Sequence, residues 1–276
     1  MVIDAHHHFW DPTRAQYPWL TDERAAIRRR FAPEDLRPVL QANGVDRTIV
    51  VEARSSLEET RELLALAEAT DFLAGVIGWV DLAAGDVAAT LAELRAAPGG
   101  ARLVGVRHVV RAEPDARWLV RPEVLRGLDA LAGAGLAYDL LVTARELPAA
   151  LDAARRVPAL SFVVEHLGGP AIRAGADVPW AAGMARLAEL PNVTCKVSGL
   201  AVAPAEGLAP FVERVAGWFG EDRLLFGSDW PVCLLAVGYD GIMGRLHELV
   251  AERSLPAAGL DRLLGANAAR VYRLPM

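Results

Sequence analysis

Short, mostly apolar runs rich in β-branched residues alternate along the chain with longer Ala/Leu/Glu/Arg-rich stretches of helical spacing. Strands are expected at Val2–Phe9, Arg47–Ala53, Leu73–Val80, Leu103–Val110, Ala137–Val142, Ser161–Leu167, Val193–Ser198 and Leu224–Ser228. Most of these runs are nearly continuous rather than alternating, as parallel strands covered on both faces should be. The clearest helix is Leu57–Thr70. Ser56 and Glu59 read as a capping box ahead of the stripe Leu63, Leu64, Leu66 and Ala67. Further helices are expected near Pro33–Asn43, Val87–Ala96, Pro122–Ala134, Glu146–Arg155, Trp180–Leu190, Leu208–Phe219 and Gly241–Arg253, with a last one at Ala257–Leu264. Gly44, Gly135 and Gly220 fall where helix C-caps belong.

Eight β-then-α units predict an α/β fold, a closed (β/α)8 barrel, as a single domain over residues 1–276. The rival is a doubly wound open sheet, which usually shows a Gly-rich turn after its first strand. Here the first strand runs into His-His-His-Phe-Trp instead. The Asp11–Arg30 stretch is the longest early excursion. It carries Tyr17, Pro18 and Trp19 and is expected to cover the barrel mouth.

Composition narrows the function classes. Hydrophobic residues make up 53% of the chain, enough for a sizeable core. The net charge is −6, from 29 basic and 35 acidic residues, so nothing electrostatic favours nucleic acid. The basic cluster Arg24–Arg30 reads first as a solvated face, with a substrate-facing arginine as the lesser reading. No secretory leader and no apolar run of about 18 residues is visible, so the expectation is a cytoplasmic protein with no membrane association. Cys195 and Cys233 lack metal-site or redox spacing and read as small core residues.

The candidate chemistry lies at strand C-termini, where barrel active sites are built. His6 and His8 share a face of strand one, about 6.6 Å apart along it. That spacing lets two imidazoles converge on one cation. His7 points the other way and reads as a packed residue. Glu52 ends strand two as either a further metal ligand or an ion-pair partner of Arg54 or Arg107. Arg107 and His108 end strand four on opposite sides, so at most one of them reaches the mouth without local bending. His108 is a candidate substrate or oxyanion contact. His166, before Leu-Gly-Gly-Pro, is a candidate ligand or donor. Lys196 sits in an apolar strand and must find a carboxylate or a substrate oxygen. Asp229 ends strand eight in Phe-Gly-Ser-Asp-Trp-Pro and is the candidate general base.

His-x-His on strand one, His166 and Asp229 together resemble the amidohydrolase superfamily. Ile-Asp-Ala-His-His-His-Phe-Trp-Asp-Pro, Gly-Val-Arg-His, Glu-His-Leu-Gly-Gly-Pro, Cys-Lys-Val-Ser-Gly-Leu and Leu-Leu-Phe-Gly-Ser-Asp-Trp-Pro-Val-Cys are similar to its sugar-lactonase branch. The similarity spans Ile3 to about Leu274. It implies hydrolysis of a small-molecule lactone at His6, His8, His166 and Asp229, with His108 and Lys196 lining the site. The bridging lysine of strand four and the histidine of strand five seen in the wider superfamily are missing. One divalent cation, zinc by expectation, is therefore implied rather than two, and members of the branch differ in whether they need it. Glu52, where the branch often has a neutral residue, adds to the candidate metal ligands.

Two other functions use the same residues. A non-oxidative decarboxylase of an aromatic or unsaturated acid would add an arginine clamp from Arg54, Arg107 or Arg111. A non-catalytic metal-binding protein would show no turnover. Oligomeric state is open, a homodimer included, and so is the identity of the lactone.

Overall fold

In the computed structural model, which describes residues 1–172 and 178–274, the strands follow one another around a single sheet in chain order. They are β1 (Ile3–His7), β2 (Arg47–Val51), β3 (Leu73–Gly78), β4 (Leu103–His108), β5 (Ala137–Leu140), β6 (Ser161–Val164), β7 (Val193–Val197) and β8 (Leu224–Phe226). Every neighbouring pair is parallel. The barrel closes through residues just beyond β8: Asp229 N–H donates to the His6 carbonyl at 2.9 Å and His8 N–H to the Trp230 carbonyl at 2.7 Å. The expected barrel is the observed one.

Helices cover the outside: α1 (Pro33–Ala42), α2 (Leu57–Glu68), α3 (Val87–Ala96), α4 (Pro122–Gly133), α5 (Leu147–Arg156), α6 (Val178–Ala188), α7 (Ala205–Phe219) and α8 (Tyr239–Ala251). Their buried faces, such as Leu63, Leu64 and Ala67 of α2, pack on the outward strand residues. Helix α7 starts three residues before the expected Leu208, because Pro204 in extended conformation serves as its N-cap. The last helical stretch comes later than expected. A π-turn over Arg262–Ala266 runs into α9 (Asn267–Val271).

The capping box of α2 is half formed. Ser56 accepts from Glu59 N–H, but the buried Glu59 carboxylate turns to the Ala53 and Arg54 N–H groups at 2.9 and 2.8 Å. It thereby fixes the chain leaving β2.

The barrel interior is apolar at one end and ionic in the middle. Ile3, Ala5, Ile49, Ala137 and Leu225 pack against Ala268, Ala269, Tyr272 and Leu274, so the C-terminal segment plugs the end where the strands begin. Above that plug the inward positions carry charge. No helix among the described residues is long and apolar enough to cross a membrane.

Candidate metal and catalytic centre

The first strand does not run straight to its histidines. Its register with β2 shifts between Asp4 and His7. Asp4 Oδ1 accepts from His6 N–H at 3.1 Å across that irregularity. The imidazoles therefore converge more closely than an ideal strand allows: the two Nε2 atoms stand 3.1 Å apart. Each is 3.6 Å from Asp229 Oδ1. Close approach is possible because residue 227 is glycine; a Cβ there would lie 2.5 Å from His6 Cβ.

Asp229 and His166 both adopt left-handed backbone conformations, with φ of 58° and 51°. Non-glycine residues take up that region at a cost, and such residues cluster at functional sites. For Asp229 the turn directs the carboxylate toward the histidines. His166 is held by Ser198, whose Oγ is 2.9 Å from Nδ1 and accepts from His166 N–H at 3.2 Å. The His6 and His166 rings pack edge to face at 4.6 Å.

Beneath lies a buried ionic layer. Arg107 donates through Nε to Glu52 Oε1 at 2.8 Å and through Nη1 to Glu165 Oε2 at 3.0 Å. Lys196 Nζ donates to Asp139 Oδ2 at 2.5 Å. Tyr272 OH donates to the same carboxylate at 3.0 Å. Glu165 Oε1 lies 3.1 Å from His6 Nδ1. Burial alone would raise the Glu165 pKa, but Arg107, His6 and Lys196 outweigh it and hold the carboxylate well below its usual range. Burial pushes Asp139 up to about 7 against the pull of Lys196. Burial also depresses His6 and His166. Asp229 is depressed too: burial is opposed by its histidine neighbours, His166 first, then His8 and His6.

Among the described residues, two groups of side chains can hold a metal ion: His6, His8 and Asp229, and His6, Glu165 and His166. The first fits the chemistry of a divalent cation. His8 Nδ1 faces the Val51 carbonyl at 2.8 Å. A carbonyl only accepts, so Nδ1 carries the proton and Nε2 presents a lone pair. That lone pair, His6 Nε2 and the Asp229 oxygen face a common point and demand a cation or a proton there. Two imidazole nitrogens and a carboxylate form a donor set that zinc accepts. In the surrounding interior four carboxylates, Glu52, Asp139, Glu165 and Asp229, stand against Arg107 and Lys196, a balance that also favours a cation.

The structure places three expected site residues elsewhere. Glu52 is the partner of Arg107 and belongs to neither metal-binding group. This is the ion-pair alternative. Lys196 is fully buried below the centre and finds Asp139 rather than a substrate oxygen. His108 faces away from the centre. Its Nδ1 accepts from Trp79 Nε1 at 3.1 Å, its Nε2 is 2.7 Å from Glu113, and its ring stacks on Trp118 at 4.1 Å. Of the strand-four pair, Arg107 is the inward residue. His7 points outward to Thr48 Oγ1 at 2.8 Å, as its position in the strand predicts.

A cavity of about 440 Å³ opens over the centre, lined by His8, His166 and Asp229 together with Trp19, Arg24 and Arg111. Trp19 and Arg24 come from the early excursion, which therefore does line the mouth. The Arg111 side chain has no hydrogen-bonded or ionic partner among the described residues. A larger hollow of about 580 Å³ beside α2 contains none of the converging groups.

The chain matches the amidohydrolase family model over residues 3–274. It belongs to that family. An L-fucono-1,5-lactonase from Burkholderia ambifaria is 40% identical over 99% of this chain and 95% of its own length. The crystal structure of an amidohydrolase from Burkholderia multivorans with bound zinc superposes with a TM-score of 0.92 at 37% identity, covering 100% of both chains. A 2,6-dihydroxybenzoate decarboxylase from Rhizobium, at 13% identity and a TM-score of 0.65, shares the fold alone.

Proposed function

We propose that this amidohydrolase opens the ester bond of a sugar lactone with water. The observation that carries the reading is the convergence of Asp229 Oδ1 with the Nε2 atoms of His6 and His8 at the floor of an open cavity. The choice of a lactone rests on the L-fucono-1,5-lactonase relative. The decarboxylase alternative is less supported, because the decarboxylase neighbour is far more distant than the lactonase relative.

Asp229, kept ionised by its histidine neighbours, takes a proton from water as the water oxygen bonds to the lactone carbonyl carbon. The ring C–O bond then breaks, and Asp229 returns the proton to the departing ring oxygen. The product acid ionises and releases a proton to solvent. His166, packed against His6 and lining the same cavity, donates to the carbonyl oxygen as charge develops on it. Arg24 and Arg111 add positive charge to the cavity in which a carboxylate is produced. A divalent cation held by His6, His8 and Asp229, zinc by expectation, would supply Lewis-acid polarisation of the carbonyl.

A panel of aldono-lactones assayed with a pH indicator tests the reading. Acid release with at least one sugar lactone is expected. No acid release from any of them, or release of CO2 from an aromatic acid instead, contradicts it.

A further inference from the structure

The ladder of β2 ends at Glu52, whose N–H donates to the Ile77 carbonyl at 2.8 Å. The next two N–H groups, of Ala53 and Arg54, lie beyond the sheet. Both donate to Glu59 Oε2, at 2.9 and 2.8 Å. Glu59 stands in the first turn of α2, where an acid suits the helix dipole and would ordinarily reach back to the N-cap N–H. It reaches past Ser56 instead, and it is buried. A buried carboxylate is costly without hydrogen bonds. The bonds that offset that cost go to the chain leaving β2.

Three successive carbonyls of that exit each hold a group that lines the cavity. Val51 faces His8 Nδ1 at 2.8 Å, Glu52 accepts from Arg107 Nη2 at 2.5 Å, and Ala53 accepts from Trp19 Nε1 at 2.7 Å. The sheet itself holds Val51 and Glu52. Ala53 is held by Glu59. The consequence falls on Trp19. Its ring packs edge to face on Trp10 at 4.9 Å. Its carbonyl accepts from Arg24 Nη1 at 3.0 Å, and the Arg24 guanidinium lies 5.6 Å from the ring centre. Trp19 and Arg24 therefore share one anchor, the Ala53 carbonyl.

We propose that Glu59 is a positioning residue for substrate binding: it fixes Ala53, and through the Ala53 carbonyl it sets Trp19 and Arg24 as the wall on which the lactone ring rests. The proposal rests on the reading of this cavity as the lactone site. An indole face suits the C–H face of a saturated sugar ring, and a guanidinium donates to its hydroxyl oxygens. Glu59 belongs to neither metal-binding group and does not line this cavity. Its loss should therefore appear in substrate binding and spare proton transfer at Asp229.

The test uses the full chain, labelled with 15N-tryptophan, and a sugar lactone that the parent opens. Glu59→Leu removes the acceptor. It is expected to raise KM by about tenfold, the worth of one well-placed hydrogen bond, with kcat within about twofold of the parent. It is also expected to speed solvent exchange of the Trp19 indole N–H, whose NMR signal is assigned by its absence in Trp19→Phe. Glu59→Gln keeps an acceptor oxygen and is expected to recover most of the KM and of the indole protection. Glu59→Asp is a methylene too short for both N–H groups. It carries the test if Glu59→Leu does not fold, with changes in the same direction. The double variant Trp19→Phe/Glu59→Leu is expected to match Trp19→Phe in KM, since both changes act through one bond. A parent-like KM in Glu59→Leu or Glu59→Asp overturns the proposal. So does an equal loss in Glu59→Gln, or a double variant whose KM multiplies the two single effects. A merely structural role would lower melting temperature and leave KM and indole exchange unchanged. If the parent opens no lactone, the lactone reading fails, and indole exchange in the same chains still decides whether Glu59 holds Trp19.

Discussion

Ser228 donates twice to Asp4, through its N–H at 2.9 Å and its hydroxyl at 2.6 Å, and so ties the end of the last strand to the first. The same carboxylate accepts from His6 N–H and from Tyr239 OH, at 3.1 and 2.9 Å. One buried group thus sets the backbone on both sides of the seam from which His6 and Asp229 project. Ser228→Ala should cost roughly 1–3 kcal/mol of stability, since it leaves a buried acceptor short of a donor. It should also lower kcat, because Asp229 follows directly. Urea unfolding and steady-state kinetics on one preparation check both.

Arg107 holds Glu52 and Glu165 together across the barrel. Removing one partner of a buried pair leaves uncompensated charge, so Arg107→Met should destabilise by about 3–5 kcal/mol. The double variant Arg107→Met/Glu52→Leu should recover part of that loss. Equal destabilisation in the two variants, measured by denaturant titration, would argue against the pairing.

Much of this architecture is legible in the sequence. Parallel strands covered on both faces leave near-continuous apolar runs, and eight of these with helical stretches between them define the barrel. His6, His8, His166 and Asp229 stand out because polar residues at strand ends have few structural uses. The ionic layer does not stand out. Asp139 and Glu165 are single charges in apolar strands, and nothing local says which distant strand supplies the partner. The unlike character of Asp139 among Ala137, Tyr138 and Leu140 was the available signal. Which of Arg107 and His108 faces inward is not legible either, because strand alternation turns one of two adjacent residues inward without saying which. The π-turn before α9 departs from the helical period altogether.

Glu59 gives stability a pH dependence. Burial raises its folded pKa from an ordinary 4.5 to about 7. Between those values the folded chain binds more protons than the unfolded one, so stability falls as pH rises. The contribution is greatest below pH 4.5 and is lost as pH passes 7, by on the order of 3 kcal/mol at most. Glu59→Gln should flatten that slope. Melting temperatures from pH 5 to 8 for both chains show whether it does.

His108 is committed to Trp79, Glu113 and Trp118. His108→Asn should therefore change kcat/KM by less than about tenfold, under ~1.4 kcal/mol in the barrier. A loss of about a thousandfold would return His108 to the reacting centre.

The central claim is that Asp229 moves the proton in lactone opening. Its most direct test is kcat of Asp229→Asn against the parent on a sugar lactone that the parent opens, with folding verified by circular dichroism. The amide keeps the shape and loses the basicity. The account predicts a fall of about 10²–10⁴ in kcat. A folded Asp229→Asn chain that turns over at the parent rate would contradict it.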